Sequence, residues 1–585
     1  MKSWISQNKK LKHLALAAAL FMGLGLNEAR TEEAQFIPGQ KRSGWSFQEF
    51  AKIPVLSGGR IKPFDTYARE IILYQTGSRY FRGWSPTEYM LSVMSFPEAW
   101  EAQEFISVAR EDVKLQLGLN KKESRFSPKQ LTHESHLPQY LESIFGQDQG
   151  KSVGLPQVVG GADGLRQDPR EKELKQLVER LALHRKIISG DAWILIPAEK
   201  NQPWWPLTAD PVADPERTAE IKRAFARTVL AYRDGRQSDF ENFSRDLRGL
   251  IEAAKGEVPG FAAERDAELL YNQSHPFLWS WIFYLVSGVL WTVVVVTQGA
   301  SIASKTPWLK RLALSFTWIA LAFNTFGFAI RGYVAGRPPV TNMYESIIWV
   351  MFGVVCFSLY LYWRTGQGVV LAVAGFVATA GMVLADAAPA MMDPGIHPLV
   401  PVLRSNYWLT IHVLTITLGY SAFAISLGVS NVTLFHFLRG EHREGIAAKI
   451  AQLNQITYRA MQIGVVLLGA GTILGGIWAD YSWGRFWGWD PKEVWALIAF
   501  LFYIAILHSR FVGWIKPFGF ALWSVIAFNG VLMAWYGVNF VLGVGLHSYG
   551  FATGGRGVVA SIVGVQLLYC LAVALKRHSS KAKVP

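Results

Sequence analysis

From Phe277 to its end the chain is built mostly of apolar runs of one characteristic length, which rules out most of the folds open to 585 residues. Nine runs are present: 277–297, 312–328, 343–363, 369–385, 407–427, 460–478, 494–512, 518–541 and 558–575. A hydrocarbon layer of about 30 Å takes about 20 residues of helix to cross. Inside it every backbone polar group must be satisfied within the segment, which a helix does. The preceding 272 residues are charged and rich in loops. The expected fold is all-α and polytopic: about nine transmembrane helices preceded by a mostly helical exported domain.

The net charge of +14 raises the question of nucleic acid. Its distribution excludes that partner, because many of the cations sit in short loops between apolar runs, where they set topology against membrane lipid. Lys305, Lys310 and Arg311 follow the first run, Arg364 the third, and Arg439, Arg443 and Lys449 the fifth. Arg510 and Lys516 follow the seventh, and Lys576, Arg577 and Lys581 follow the ninth. With these clusters cytoplasmic, the N-terminal domain and the segment between the sixth and seventh runs face outward. In a bacterial inner membrane that is the periplasmic face. The two cysteines, Cys356 and Cys570, lie inside apolar runs and form neither a disulfide framework nor a reducing thiol pair.

Ahead of the spans, Lys9, Lys10 and Lys12 precede the apolar run 14–26, so residues 1–29 read as a signal peptide or short signal anchor. Residues 30–272 read as an extracytoplasmic soluble domain. Helical spacing marks 174–188 and 219–231, and Gly, Pro and Gln mark 146–164 as a loop. The stretch 192–207, with Trp193, Trp204 and Trp205, predicts a strand or hairpin. Gly58-Gly59-Arg60 predicts a turn and Pro63-Phe64-Asp65-Thr66 a helix start. No internal repeat or catalytic constellation is visible in this region.

The chemistry concentrates between the sixth and seventh runs, in GGIWADYSWGRFWGWDPKEVW (475–495). Trp478, Trp483, Trp487, Trp489 and Trp495 fall there with Tyr481 and Phe486. Tryptophan suits the membrane–water interface, where the ring is buried and the indole N–H stays wet. An aromatic belt needs neither Gly484 and Gly488 nor a fixed spacing, and flat rings on a glycine-permitted turn make a surface for a large planar ligand. Asp490, Pro491 and Glu493 have the form of N-cap, first-position proline and third-position acid, so Asp490 reads first as a helix cap.

Three of the twelve histidines invite attention, a titratable side chain within a span being costly. His412 is near the outer end of the fifth run, His547 in the external loop after the eighth, and His508 toward the cytoplasmic end of the seventh. Taken singly, each also has a plain reading as a hydrogen-bonded or snorkelling residue. By the topology above, His412 and His547 flank the tryptophan loop, and two imidazoles on either side of a porphyrin are a common way to hold heme iron.

WGRFWGWDPKEVWALI resembles the tryptophan-rich signature of the heme-handling proteins of cytochrome c maturation. The region 277–585, with its external loop 478–492, resembles the CcsA (ResC) family of the system II cytochrome c synthetase. The resemblance implies that S-x-x-W-L-x-x-H places one axial ligand at His412 and that the loop before the last span places the other at His547. It implies an inner heme site or path at His508. Trp478, Trp483, Trp487, Trp489 and Asp490 belong to the heme-facing signature, and Arg337 to an R-P-P-V-T-N-x-Y-E-S stretch whose guanidinium pairs with a propionate or simply anchors the span. The segment 53–70 resembles the lead-in to the exported domain of longer relatives.

The expected activity is therefore that of a holocytochrome c synthase, with heme b as substrate and bound ligand. Its partners would be apocytochrome c and a thiol-reducing system. The family completes its inner site with a histidine from a ResB-type (CcsB-type) protein, and no ResB-like segment precedes the exported domain here, so a separate partner of that type is expected. The rival reading is a heme exporter or carrier that serves a separate lyase. A quinol oxidoreductase subunit would call for paired histidines at two depths, and a purely structural assembly factor for none.

Overall fold

The computed structural model describes residues 41–140, 169–198, 202–211, 214–255, 260–298, 307–387, 392–398, 406–441, 443, 445–542, 545 and 556–581. The run 14–26 and the loop 146–164 lie outside these residues. In the N-terminal region β1 (Pro54–Ser57) and β2 (Arg60–Pro63) pair antiparallel, with Ser57 opposite Arg60. Gly58 and Gly59 turn the chain with φ of 58° and 80°, the left-handed values that a two-residue hairpin loop requires. Helix α1 (Phe64–Thr76) starts directly from Pro63.

Four longer helices complete this region around one aromatic core: α2 (Pro86–Ser95), α3 (Pro169–Ser189), α4 (Pro215–Arg233) and α5 (Gln237–Lys255). Helices α3 and α4 contain the stretches 174–188 and 219–231 marked by helical spacing. The stretch 192–207 forms the antiparallel pair β3 (Ile194–Ile196) and β4 (Trp205–Pro206). Phe64 stacks on Trp193 at 5.2 Å between centroids, and Phe50 meets Phe64 edge-on at 4.9 Å. All three rings are fully buried, each contributing about 2–3 kcal/mol of transfer free energy.

Helix α6 (Phe261–Ser274) passes through a left-handed His275 (φ 44°) into the membrane bundle. The bundle comprises α7 (Pro276–Gln298), α8 (Pro307–Ala335), α9 (Met343–Thr365), α10 (Val369–Ala387) and α11 (Asn406–Arg439). It continues with α12 (Ile446–Trp483), α13 (Pro491–Phe511), α14 (Pro517–Leu532) and α15 (Arg556–Lys581). A π-helical stretch, Met533–Leu542, extends α14. Among the described residues nine helices are long and apolar enough to cross a membrane. The chain is a multi-pass membrane protein.

Helices α11 and α12 have 34 and 38 residues, well beyond the apolar runs 407–427 and 460–478. Apolarity marks only the hydrocarbon stretch, whereas the helix runs on to the next breaker; for α12 these are Gly445 and Gly484, both left-handed. The two helices pack with their backbones close together along glycines. A Cβ on Gly471 would lie 2.8 Å from the Ile416 Cα, and one on Gly419 3.0 Å from the Leu468 nitrogen. Small residues let helix backbones approach where water supplies no hydrophobic drive.

A buried ion cluster ties the ends of α8 and α9 to the loop after α10. Arg331 donates to Glu345 (2.7 Å), to the Tyr271 hydroxyl (3.1 Å) and to the carbonyls of Pro394 (2.8 Å) and Gly395 (3.2 Å). Arg331 and Glu345 are each about 1% exposed. The N-terminal region grips the same loop. Arg60 pairs both carboxylate oxygens of Glu268 (2.8 and 2.5 Å) and donates from Nε to the Ile396 carbonyl (2.8 Å). Arg79 pairs with Asp386 at 2.5 Å.

Candidate functional site

At the tryptophan-loop end of the bundle a cavity of about 1170 Å³ is lined by both the N-terminal region and the membrane helices. Arg69, Glu70 and Tyr74 of α1 form part of its wall, facing His412, Trp478, Phe486, Trp487 and Trp535. Such a volume, walled by aromatic side chains together with many charged and polar ones, has room for a large, flat, amphiphilic ligand.

His412 sits in the second turn of α11, and its Nδ1 lies 2.7 Å from the Gly471 carbonyl. A carbonyl oxygen can only accept, so Nδ1 carries the proton and Nε2 keeps the lone pair, the tautomer that a metal-binding imidazole needs. Glycine makes this placement possible, since a Cβ on Gly475 would lie 2.6 Å from the His412 Cε1. The ring lies parallel to Trp478, 6° between planes with centroids 6.2 Å apart. Trp478 is buried and backed by Trp483, at 4.7 Å between centroids.

The loop itself is strained and exposed. Gly484 ends α12 with φ 72°, and Trp489 takes φ 56°, a left-handed conformation unusual for a bulky residue. Trp489 is 71% exposed and meets Trp487 edge-on at 5.9 Å. Phe486 lies over Gly476, where a Cβ would come within 2.6 Å of its ring. Strain in an exposed aromatic loop that the surroundings hold in place is a recurring feature of ligand clamps.

What holds it is the start of α13. The Asp490 carboxylate accepts from the Lys492 N–H (3.0 Å), while Glu493 accepts from the N–H groups of Gly488 (2.9 Å) and Asp490 (3.1 Å). Asp490 is thus the helix cap that its motif predicts, buried and outside the cavity lining. Gly545 packs against the Asp490 carboxylate and Pro491.

Of the sequence-predicted residues, the structure brings His412, Trp478, Trp487 and Arg337 onto one cavity. Arg337 donates to the His397 carbonyl (2.7 Å) and lies 3.7 Å from Glu345, so part of its fork is already engaged. His508 stands apart, 18 residues along α13 from Asp490, or about 27 Å at 1.5 Å per residue. Its ring is exposed on this chain and bonded to the Ile504 carbonyl (3.0 Å). His547 lies outside the described residues.

Of the cavity residues that sequence reasoning missed, two stand out. Lys492 is inside the quoted signature but reads there as ordinary helix-start chemistry. His397, in the loop after α10, has no distinguishing context in the sequence; it bonds Asp393 through Nε2 (2.8 Å). That bond, against the opposing effect of burial, raises the imidazole above its ordinary 6.5. Burial pushes the Asp393 carboxyl up, but the bond and charge of His397 outweigh it and hold the group low.

The histidine's contribution is full below about pH 6.5 and is lost as pH rises through its raised value. The aspartate's is present above about pH 3.9 and lost as pH falls through its depressed value. Going from pH 6 to pH 8.5 should cost about 0.2–1 kcal/mol, a small value because the pair is partly exposed. His397→Asn should abolish that difference in thermal unfolding of the full chain. An identical pH slope in wild type and variant would remove the pair from the account.

Residues 340–547, which run from the entry of α9 past the tryptophan loop, match the family described as cytochrome C assembly protein. The cytochrome c biogenesis protein CcsA of one Prochlorococcus marinus strain is 32% identical over 302 residues, covering 46% of this chain and 94% of the relative. The chain belongs to the CcsA family. CcsA of a second strain is 34% identical over 266 residues, or 40% of this chain and 83% of the relative. Protein NrfI of Wolinella succinogenes is 30% identical over 513 residues, 84% of this chain, and the chain spans about half (53%) of its length. Membership of this system II biogenesis family supports a role in cytochrome c maturation.

Proposed function

We propose that the chain binds heme in the cavity beneath the tryptophan loop and presents it for covalent attachment to apocytochrome c. The observation that carries the reading is His412, an Nδ1-protonated imidazole held between Gly471 and Gly475 at the wall of an aromatic cavity. Trp478 and Trp487 supply the surface against which the porphyrin lies, with Trp483 behind Trp478 and Trp489 exposed on the loop. His547 is the second axial ligand.

The attachment needs no group on this chain to change oxidation state. Each cysteine S–H of a C-x-x-C-H segment adds across a vinyl C=C: one S–C bond forms, the thiol hydrogen ends on the neighbouring carbon, and nothing leaves. The chain supplies position, which for well-oriented partners is worth as much as about 7–11 kcal/mol of barrier. Residues of α1 and α3 contribute to the cavity wall, which supports a role for the N-terminal region in receiving the incoming peptide. Outward orientation of this end rests on the cationic clusters at the opposite ends of the helices. His508, exposed at depth in α13, is the residue that a ResB-type partner would cover.

The test is co-expression of the full chain and a ResB-type partner with an apocytochrome bearing C-x-x-C-H. Thioether-linked heme, detected by mass spectrometry, is the expected product. Heme that reaches the outer side and stays non-covalent would favour the carrier reading instead.

A further inference from the structure

Resting on the heme reading above, the geometry points to Lys492 as a cation that receives a heme propionate. The cavity lining holds several cations, and most are committed. Arg69 pairs with Asp65 (2.7 Å), Arg79 with Asp386 (2.5 Å), and Arg180 donates to the Tyr74 and Ser107 carbonyls (2.9 and 2.7 Å). Arg337 spends one nitrogen on the His397 carbonyl and shares Glu345 with Arg331.

Lys492 differs from all of these. Its Nζ reaches the Asn539 side-chain oxygen at 3.5 Å, a long bond to a neutral group. Among the described residues no carboxylate oxygen lies within 4.0 Å of it. The Asp490 charge is nearby, but that carboxylate faces the helix N–H groups and Gly545.

The position is unfavourable for a cation in two ways. Lys492 is the second residue of α13, at the positive end of the helix dipole. It is also partly buried beside apolar and aromatic side chains, where an uncompensated charge is expensive. Asn539 and Phe540, on the π-helical stretch after α14, line the cavity next to it. An anion in the cavity relieves both penalties, and a propionate is the anionic group a porphyrin brings.

The test titrates the full-length chain, stripped of heme in detergent, with hemin and with hemin dimethyl ester, following the Soret band. A hydrogen-bonded charge pair of this kind should make the ester bind about tenfold weaker than the free acid in wild type. Lys492→Met should remove most of that preference and Lys492→Arg should restore it. If the methionine variant is not recovered from membranes, Lys492→Gln, which can still bond Asn539, takes its place. An acid-to-ester ratio near one in wild type, or an unchanged ratio without the lysine, would overturn the assignment while leaving heme binding through His412 intact. A wild-type chain that binds neither form contradicts the heme reading itself.

Discussion

Replacing His412 with alanine should empty the cavity of heme. The full-length variant, purified alongside wild type, should carry less than about a tenth of the wild-type heme, since a lost axial bond removes several kcal/mol of a ligand's binding free energy. Added imidazole should restore most of it, because the deletion leaves an imidazole-sized space between Gly471, Gly475 and Trp478. Rescue separates loss of a ligand from loss of fold. Gly475→Ala should give an intermediate result: its new methyl would lie 2.6 Å from the His412 Cε1, so the ring must turn away from the Gly471 carbonyl. Full heme content in His412→Ala would place the iron ligands elsewhere, and His508 would be examined next.

The second large effect is on stability. Glu345 is buried between two guanidiniums and also accepts from the Thr341 N–H (3.0 Å) and hydroxyl (3.1 Å). Glu345→Gln keeps the shape but leaves Arg331 charged, buried and without its counter-ion. Breaking such a pair from one side costs about 3–5 kcal/mol. The variant should unfold at markedly lower denaturant in detergent, and the loop 392–398 should become accessible to protease first. Arg337→Met should cost less than Arg331→Met, because Arg337 holds Glu345 only at 3.7 Å. A Glu345→Gln chain within about 1 kcal/mol of wild type would show that this cluster does not hold the site's frame.

Much of this was legible in the chain. Apolar run length marked the spans, because a bilayer imposes one length on any helix that crosses it. The start of α13 was legible because a capping box is local chemistry: Asp490, Pro491 and Glu493 adopt the roles their spacing predicts. His412 stood out because titratable side chains are rare in such runs. The lengths of α11 and α12 were not legible, since the turns that extend them, 428–439 and 446–459, mix apolar with polar residues and form no unbroken apolar run. Nor was the joint wall of the cavity, which depends on contacts such as Arg60 with Ile396 across 336 residues of sequence. The roles of Arg331 and Arg337 also needed coordinates. An arginine that meets a ligand and one that binds a carbonyl look alike in sequence, and only the positions of Glu345, Pro394 and Gly395 separate them.

The most direct test of the central claim is the low-temperature EPR spectrum, with matching absorption, of ferric heme bound to the full-length wild-type chain. The account predicts six-coordinate, low-spin iron with two imidazole ligands, converted to a different coordination in both His412→Ala and His547→Ala and returned by added imidazole. A low-spin spectrum untouched by either substitution, or heme bound without imidazole ligation, would contradict it.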